Sequence, residues 1–235
     1  MISVCLATYN GEDFIKEQVE SILKQITLTD EIIISDDSSN DKTINVLNSF
    51  NDSRIKIFKN PGNRGYTNNF ENAINESKGD VIFLSDQDDV WVDNKVELMI
   101  DKLKKVSLVV SDAKIVNEKL EVINKSHFQL YNVKQGFIVN FLKTRYIGAC
   151  MCFKREILTK ALPFPGNKKN CAHDYWLTLI AEFYYKVELY EVPLLLYRRH
   201  SNNALDGGNS SSNSFFKKVW TRLYCFYNLI LRYAK

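Results

Sequence analysis

Short apolar runs alternate with segments of helical periodicity along the first half of the chain. The apolar runs predict buried strands, and the segments whose apolar residues recur every three or four positions predict amphipathic helices. The predicted strands cover residues 2–8, 31–35, 54–59, 80–85 and 107–111. The predicted helices cover residues 11–26, a segment capped by Asn40 or Asp41, residues 68–75 and residues 93–105.

This alternation is typical of an α/β fold, with a Rossmann-like, mostly parallel sheet and helices on both faces. In such sheets ligands bind at the carboxyl ends of the strands. Three predicted strands are followed by polar clusters: Thr8-Tyr9-Asn10, Asp36-Asp37 and Asp86-Gln87-Asp88-Asp89. We therefore expect the three clusters to form one site.

The pattern is less regular after residue 112. Helices are predicted over residues 137–142, 156–161 and 173–184, and strands over residues 147–153 and 187–198. Pro193 indicates that the last strand is an edge strand or carries a bulge. Residues 204–214 have the composition of a flexible linker, so we expect one domain over residues 1–203.

The acidic cluster after the fourth strand favours a cation site. Carboxylates concentrated at one strand end repel one another, and a hard divalent cation such as Mg²⁺ or Mn²⁺ would relieve that repulsion. Mg²⁺ takes only one or two protein carboxylates when substrate phosphates supply other ligands, so Asp-x-Asp suits a diphosphate–metal site. The alternative is a solvated loop whose next helix is capped by Asp93 or Asn94.

Residues 215–235 predict a basic amphipathic helix. Its apolar residues fall on one face about 160° wide at 100° per residue, with Lys217, Lys218, Arg222 and Arg232 opposite or beside it. Such a helix fits peripheral contact with a membrane interface. It also fits docking on its own domain or a homodimer contact, and the sequence leaves these alternatives open.

Charge and cysteine content narrow the function classes. The net charge is +3, but the tail supplies five basic residues and no acidic one, so the rest of the chain has 26 basic against 28 acidic residues. A nucleic-acid partner is therefore not expected. The five cysteines form no C-x-x-C pair and fit no zinc spacing, which predicts free, mostly buried thiols. No signal peptide or membrane-spanning run is visible, so a cytoplasmic location is expected.

Four segments resemble one enzyme family. VCLATYNGEDFIKEQVESIL, IIISDDSSNDKT, NRGYTNNFENAI and GDVIFLSDQDDVW are similar, in this order, to the inverting glycosyltransferases of family 2, which have the GT-A fold. LSDQDDVW and LYRRHSNN most resemble the rhamnosyltransferase-like branch that builds bacterial surface polysaccharides. The resemblance implies a nucleotide-binding half over residues 1–112 and an acceptor half over residues 113–203.

The resemblance also implies a role for individual residues on the donor side. Thr8, Tyr9 and Asn10 would hold the base and ribose, and Asp36 would accept a hydrogen bond from a uracil or thymine N–H, while Asp37 braces the turn. Asp86 would face the ribose and the metal. The remaining nucleotide-side residues in this assignment are Asn63, Gly65 and Asn69.

The metal and diphosphate assignments come from the same resemblance. Asp88 would ligate a divalent cation, Mn²⁺ or Mg²⁺, with Asp86, and His200 would complete the metal site. Arg198 or Arg199 would approach the diphosphate.

The catalytic base implied by the resemblance is Asp174, at the start of a predicted helix, where His173 replaces the family's usual Glu. A helix N-terminus stabilises a carboxylate, so a plain helix cap is the alternative role. The residues implied on the acceptor side are Trp91, Gly148, Ala149, His173 and Trp176.

The implied reaction transfers a sugar, with dTDP-rhamnose or a UDP-hexose as donor, to a glycan or lipid-linked acceptor with inversion. A nucleotidyltransferase is a competing enzyme class, although its usual Gly-rich, basic first loop is absent from ATYNGEDF. A non-catalytic module that binds nucleotide sugars or glycans is the other alternative.

Overall fold

The computed structural model describes residues 1–62, 64–200 and 215–233. Asn63 and the predicted linker of residues 204–214 lie outside that range. All five strands and four helices predicted for the first half are present; the bounds of the first strand are as predicted, and those of the others differ by a few residues. In chain order the elements are β1 (Ile2–Thr8), α1 (Ile15–Leu23), β2 (Glu31–Asp36), α2 (Thr43–Ser49), β3 (Ile55–Lys59), α3 (Tyr66–Glu76), β4 (Val81–Asp86), β5 (Val90–Trp91), α4 (Lys95–Leu103) and β6 (Leu108–Val116).

The second half is more varied, as the irregular pattern indicates. The predicted bounds of the last two elements of the domain, residues 173–184 and 187–198, are confirmed without change. The elements are β7 (Val122–Asn124), α5 (His127–Tyr131), α6 (Phe137–Lys143), β8 (Met151–Lys154), α7 (Leu158–Ala161), α8 (His173–Tyr184), β9 (Val187–Arg198) and α9 (Phe215–Tyr233).

The strands form one mostly parallel sheet in the order β3-β2-β1-β4-β8-β6-β9-β5, with β7 paired to β6. The β3, β2, β1 and β4 strands are parallel to one another, and β6 is parallel to β9. The antiparallel β8 lies between β4 and β6, so the spatial order departs from the chain order in the second half. The register of β6 against β9 shifts near Pro193, the position at which the sequence predicts an edge or a bulge.

One predicted strand is corrected at its beginning. The chain is expected to be extended from residue 147, but Gly148–Cys150 forms a 3-10 turn and β8 begins at Met151. The turn presses against α8, because a Cβ atom at Gly148 would lie 2.8 Å from His173 Nε2. Glycine is required there by the close approach of that buried ring.

The core follows from the apolar runs. Val4, Cys5 and Leu6 of β1 are fully buried, as is the central triplet of β2, so both faces of the first strands are covered. Helix α1 buries Ile15, Val19 and Ile22, which lie on one face at helical spacing. All five cysteines are free and buried, as predicted. The predicted division at residue 112 falls inside β6, so it separates two parts of one continuous sheet.

The predicted C-terminal helix is present as α9, and it packs on the domain. Cys225 and Leu229 are fully buried in this contact. Tyr184 Oη donates to the carbonyl of Leu229 over 3.0 Å, and Lys160 Nζ donates to the carbonyl of Arg232 over 3.0 Å. Within residues 1–62, 64–200 and 215–233, no helix is long and apolar enough to cross a bilayer.

Candidate active site

The sheet brings the three predicted polar clusters together. In the strand register Thr8 pairs with Asp36, and Ala7 pairs with Asp86, so the carboxyl ends of β1, β2 and β4 are level. This follows from parallel pairing, because strands that run in the same direction present their carboxyl ends at one edge. The site therefore begins where the sequence places it.

Gln87 joins the loop that follows β1, residues 9–11 (the first loop), to the acidic residues 86–89 at the end of β4 (the acidic loop). Its Oε1 atom accepts hydrogen bonds from Thr8 Oγ1 over 2.6 Å and from the Tyr9 amide over 2.8 Å, and its Nε2 atom donates to the Tyr9 carbonyl over 3.1 Å. A Cβ atom at Gly11 would lie 2.4 Å from the same Oε1 atom, so glycine leaves room for this bridge. Sequence reasoning missed Gln87, because it occupies the variable position of the Asp-x-Asp pattern.

The two aspartates after β2 both brace turns. Asp36 accepts a hydrogen bond from the Ser39 amide over 3.0 Å, and Ser39 Oγ also donates to its carboxylate. Asp37 accepts from Asn60 Nδ2 over 2.9 Å and from the Gly65 amide over 2.7 Å. The bracing role expected for Asp37 is therefore what the structure has, whereas base recognition by Asp36 stays a prediction.

The other nucleotide-side residues surround the first loop. Asn69 is buried, and its Nδ2 atom donates to the Thr8 carbonyl over 3.0 Å, so it supports the loop from below. Gly65 has φ +134°, a value that favours glycine. The Tyr9 side chain is exposed, and Asn10 Oδ1 accepts from the Asn40 amide over 2.9 Å. Asn63, also predicted here, is outside the described residues.

The acidic loop concentrates negative charge on one point. Burial, together with the charges of Asp88 and Asp174, raises the pKa of Asp86 to about 8. His200 Nε2 lies 2.8 Å from Asp88 Oδ2, and the His200 ring stacks on Phe14 with centroids 4.8 Å apart. His200 therefore reaches the acidic loop from the end of β9, and its role as a metal ligand stays a prediction.

These residues fit a divalent cation. Oxygen ligands from Asp86 and Asp88, with a nearby imidazole, are a suitable donor set, and the charges of Asp88 and Asp174 that act on Asp86 favour a cation. In the described part of the chain, no three His, Cys, Asp or Glu side chains are grouped so that they could hold a metal ion by themselves, so metal binding stays a prediction.

Asp89 and Lys95 belong to the interior. Both are fully buried, and Asp89 accepts a hydrogen bond from the Arg198 amide over 3.0 Å. Lys95 Nζ donates to the Ala149 carbonyl over 2.9 Å and lies 5.1 Å from the Trp91 ring centroid. Burial raises the pKa of Asp89 and lowers the pKa of Lys95, while each partly offsets the shift of the other through its charge. Sequence reasoning missed Lys95, since a lysine at a helix start reads as a solvated residue.

Arg198 corrects the predicted diphosphate assignment. Its guanidinium is buried and donates to the carbonyls of Asp88 and Glu118 and to the Glu17 carboxylate. It also lies over the Phe14 ring, 4.7 Å from the centroid. These contacts make it a brace for the acidic loop. The structure places Arg199 nearby, with its guanidinium 5.6 Å from the Tyr197 ring centroid, and a diphosphate contact stays a prediction for Arg199 alone.

The two tryptophans predicted on the acceptor side lie in the core. Trp176 is fully buried, and its Nε1 atom donates to the Ala161 carbonyl over 2.8 Å. Trp91 is 3% exposed and packs against Phe83. Because a side chain sealed in the core cannot touch an acceptor, both assignments are corrected to packing residues. Ala149 is buried as well, and its carbonyl accepts the hydrogen bond from Lys95 Nζ.

The predicted base lies at the start of α8. The residue before this helix is Ala172, so Asp174 lies in the first turn and is not the N-cap. Its Oδ1 atom accepts a hydrogen bond from the Tyr175 amide over 2.7 Å. The charge of Asp174 contributes to raising the pKa values of Asp86 and Tyr66. The predicted base therefore interacts electrostatically with Asp86, and its catalytic role stays a prediction.

His173 is packed beside this base. Its ring stacks on Phe70 with centroids 4.0 Å apart and meets Tyr66 edge-on. Burial lowers the pKa of His173, which favours the neutral imidazole. The ring thus fills the space between α3 and Gly148 and supports the first turn of α8.

A family model described as glycosyl transferase family 2 matches residues 3–162. Over 231 residues the chain is 30% identical to "dTDP-rhamnosyl transferase RfbG" of Shigella flexneri, covering 91% of this chain and 78% of the relative. Over 184 residues it is 37% identical to "UDP-Glc:alpha-D-GlcNAc-diphosphoundecaprenol beta-1,3-glucosyltransferase WfaP" of Escherichia coli, covering 77% of this chain and 71% of the relative.

Solved structures agree on the fold. S. aureus TarS 1–349 in complex with UDP-GlcNAc superimposes with a TM-score of 0.73 at 17% identity, covering 98% of this chain and 69% of that one. The mannosyltransferase PcManGT from Pyrobaculum calidifontis, in complex with GDP-Man and Mn²⁺, superimposes with a TM-score of 0.66 at 18% identity. The match covers 98% of this chain and 64% of that one. At these identities the likeness shows the fold, which is GT-A as predicted.

Proposed function

The chain belongs to glycosyl transferase family 2, and on that premise we propose that it transfers a sugar from a nucleoside-diphosphate sugar to a glycan or lipid-linked acceptor, with inversion. The proposed donor is dTDP-rhamnose or a UDP-hexose, which are the donors that the names of its relatives suggest. The setting that these relatives suggest is the synthesis of a bacterial cell-surface polysaccharide.

One observation carries the proposal. The charges of Asp88 and Asp174 both raise the pKa of Asp86, although Asp174 comes from the second half of the chain. In such a transfer, the base that deprotonates the acceptor hydroxyl and the site that holds the donor diphosphate must lie on opposite sides of the anomeric carbon. The arrangement of these carboxylates supports that requirement and favours an enzyme over a binding module.

The proposed reaction is one displacement. An acceptor hydroxyl attacks the anomeric carbon while its proton passes to the Asp174 carboxylate. The bond from that carbon to the diphosphate oxygen breaks on the opposite face, so the configuration inverts and no protein nucleophile is required. Thr8, Tyr9 and Asn10 would hold the nucleoside, with Asp36 accepting from the base.

The site that binds the donor diphosphate would also hold a divalent cation, Mn²⁺ or Mg²⁺. Asp86 and Asp88 would bind it, with His200 beside them, and when bound it would supply positive charge for the leaving diphosphate. Arg199 would add a second positive charge there. A neighbouring fold is solved with Mn²⁺, which supports the choice of cation.

The decisive experiment uses the full chain with dTDP-rhamnose, UDP-glucose or GDP-mannose, Mn²⁺ and a GlcNAc-diphospholipid acceptor. We expect one donor to be consumed and the product's anomeric configuration, measured by NMR, to be opposite to that of the donor. Donor binding without any product would favour the non-catalytic alternative. Release of pyrophosphate would instead favour a nucleotidyltransferase.

The proposed location is the cytoplasmic side of the plasma membrane. Nucleotide sugars are supplied from the cytoplasm, and a diphosphoundecaprenol acceptor, which the name of one relative specifies, is a membrane lipid. Residues 215–235 would then contact either that membrane or a second copy of the chain. The structure of α9 bears on this choice.

A further inference from the structure

Helix α9 docks on the domain with the less apolar of its two sides. Cys225, Leu229 and Arg232 face the domain at helical spacing and are buried. The opposite side carries large apolar residues that stay exposed, and they span about 120° at 100° per residue. These outward residues are Phe216, Val219, Trp220, Leu223, Tyr227, Ile230 and Leu231. An amphipathic helix that served only to cover its own domain would turn this side inward.

The contacts that hold α9 in this orientation are specific. The Asn167 amide donates to Tyr224 Oη over 2.8 Å, and Arg222 Nε donates to the Leu142 carbonyl over 3.0 Å. Arg232 donates to the Pro163 carbonyl, with its guanidinium 5.9 Å from the Trp176 ring centroid. Polar contacts on the docked side therefore fix which side is left outward.

A second element continues the exposed surface. Helix α6 lies against α9, since the rings of Phe141 and Phe226 are 5.8 Å apart. It leaves Ile138, Val139 and Leu142 exposed. We name the outward residues of α9 together with these three the α6–α9 face. Sequence reasoning assigned no surface role to α6, so this extension comes from the tertiary structure.

The charge around the α6–α9 face has one sign. The segments 132–147 and 215–233 contain no acidic residue, and apart from the inward-facing Arg232 their basic residues are Lys134, Lys143, Arg145, Lys217, Lys218 and Arg222. Two copies joined through this face would bring like charges together, and neither of these two segments carries a carboxylate to pair them. Anionic lipid headgroups would complement the charge, while the exposed indole and phenol rings of Trp220 and Tyr227 suit the interface.

We propose that the α6–α9 face is a docking surface for an anionic lipid bilayer. The apolar side of α9 enters the interface, and the exposed lysines Lys134, Lys143 and Lys217 contact the headgroups. The face is tied to the catalytic side of the protein, because Cys225 Sγ contacts the Asn170 carbonyl in the loop that leads into α8 and Asp174. That the bilayer also presents the acceptor rests on the proposed function, whereas docking itself does not.

The test measures binding of the full chain to vesicles of phosphatidylcholine and phosphatidylglycerol in equal parts, without any donor sugar. We expect the chain to co-sediment with these vesicles, and Trp220→Glu to weaken the partition coefficient by about tenfold or more, since a carboxylate would enter the interface. Leu28→Glu is the matched control, because Leu28 is also exposed, at 84%, but lies on another surface. Its binding should equal that of the wild type.

Two results would overturn docking. One is the absence of wild-type binding to these vesicles. The other is a dimer, seen by analytical ultracentrifugation, that Trp220→Glu converts to a monomer while vesicle binding is unchanged. Turnover of a soluble acceptor should be the same for Trp220→Glu and the wild type, so loss of the proposed activity and loss of docking are separate readouts.

Discussion

Lys95 Nζ donates a hydrogen bond of 2.9 Å to the Ala149 carbonyl and so joins the helix after the acidic loop to the turn on the acceptor side. Both residues are fully buried. The bond crosses from the first half of the chain to the second. It therefore ties α4 to the turn that precedes β8.

We expect Lys95→Met to lower the free energy of unfolding by about 1–3 kcal/mol, because a buried carbonyl loses its donor. Urea denaturation measures this. Lys104→Met, an exposed lysine just after the same helix, should change it by less than about 0.5 kcal/mol. Each of the charges of Asp89 and Lys95 partly offsets the cost of burying the other. The double variant with Asp89→Asn should therefore lose less free energy of unfolding than the two single variants lose together. Strict additivity would contradict that coupling.

Arg198 and Arg199 should separate into a brace and a ligand contact. Arg198→Lys cannot reproduce the forked contacts to Asp88, Glu118 and Glu17, so the variant should lose about 1–3 kcal/mol of stability. Arg199→Lys should keep stability within about 0.5 kcal/mol and weaken nucleoside diphosphate binding. Thermal denaturation and calorimetry give both readouts. The reverse pattern would restore the diphosphate assignment to Arg198.

Asp88→Asn should remove the metal dependence of donor binding, because it removes a negative charge from the proposed cation site. In calorimetry with Mn²⁺, its donor affinity should fall to that of the wild type in excess chelator. Asp93→Asn, a nearby exposed carboxylate, serves as the control and should bind like the wild type. Unchanged, chelator-sensitive affinity in Asp88→Asn would exclude this residue as a ligand.

Asp174→Asn should lower kcat by about 10²–10⁴ while leaving the donor Kd within about twofold, because a general base acts on the acceptor proton alone. Steady-state kinetics and donor calorimetry on the same preparation measure the two effects. Asp101→Asn, exposed on α4, is the matched control. Wild-type kcat in Asp174→Asn would place the base elsewhere.

Local pattern was sufficient for the elements and for the position of the site. The strand of residues 2–8 and the helix of residues 173–184 were predicted with the observed bounds, since burial and helical spacing are written directly in the order of residues. Asp86 and Asp88 could be proposed for the same reason, because they stand at a recognisable strand end, whereas Asp174 was proposed from the family resemblance.

Roles that depend on distant partners were not predictable. Gln87, Lys95 and Arg198 all act through contacts with residues far away in the chain, and Trp91 and Trp176 were assigned to a surface they do not reach. The antiparallel β8 is inserted between β4 and β6, a choice made by packing across the sheet. A residue's type limits what it can bind, but its neighbours in space decide which of those options is used.

Helix α9 shows the division most clearly. The sequence by itself determined that residues 215–235 form an amphipathic helix with one apolar and one basic side. It could not determine which side meets the domain, because the helical periodicity is the same for either orientation. Only the tertiary structure decided this: the buried contacts of Cys225, Leu229 and Arg232 turn the apolar side outward, where it needs a partner other than its own domain.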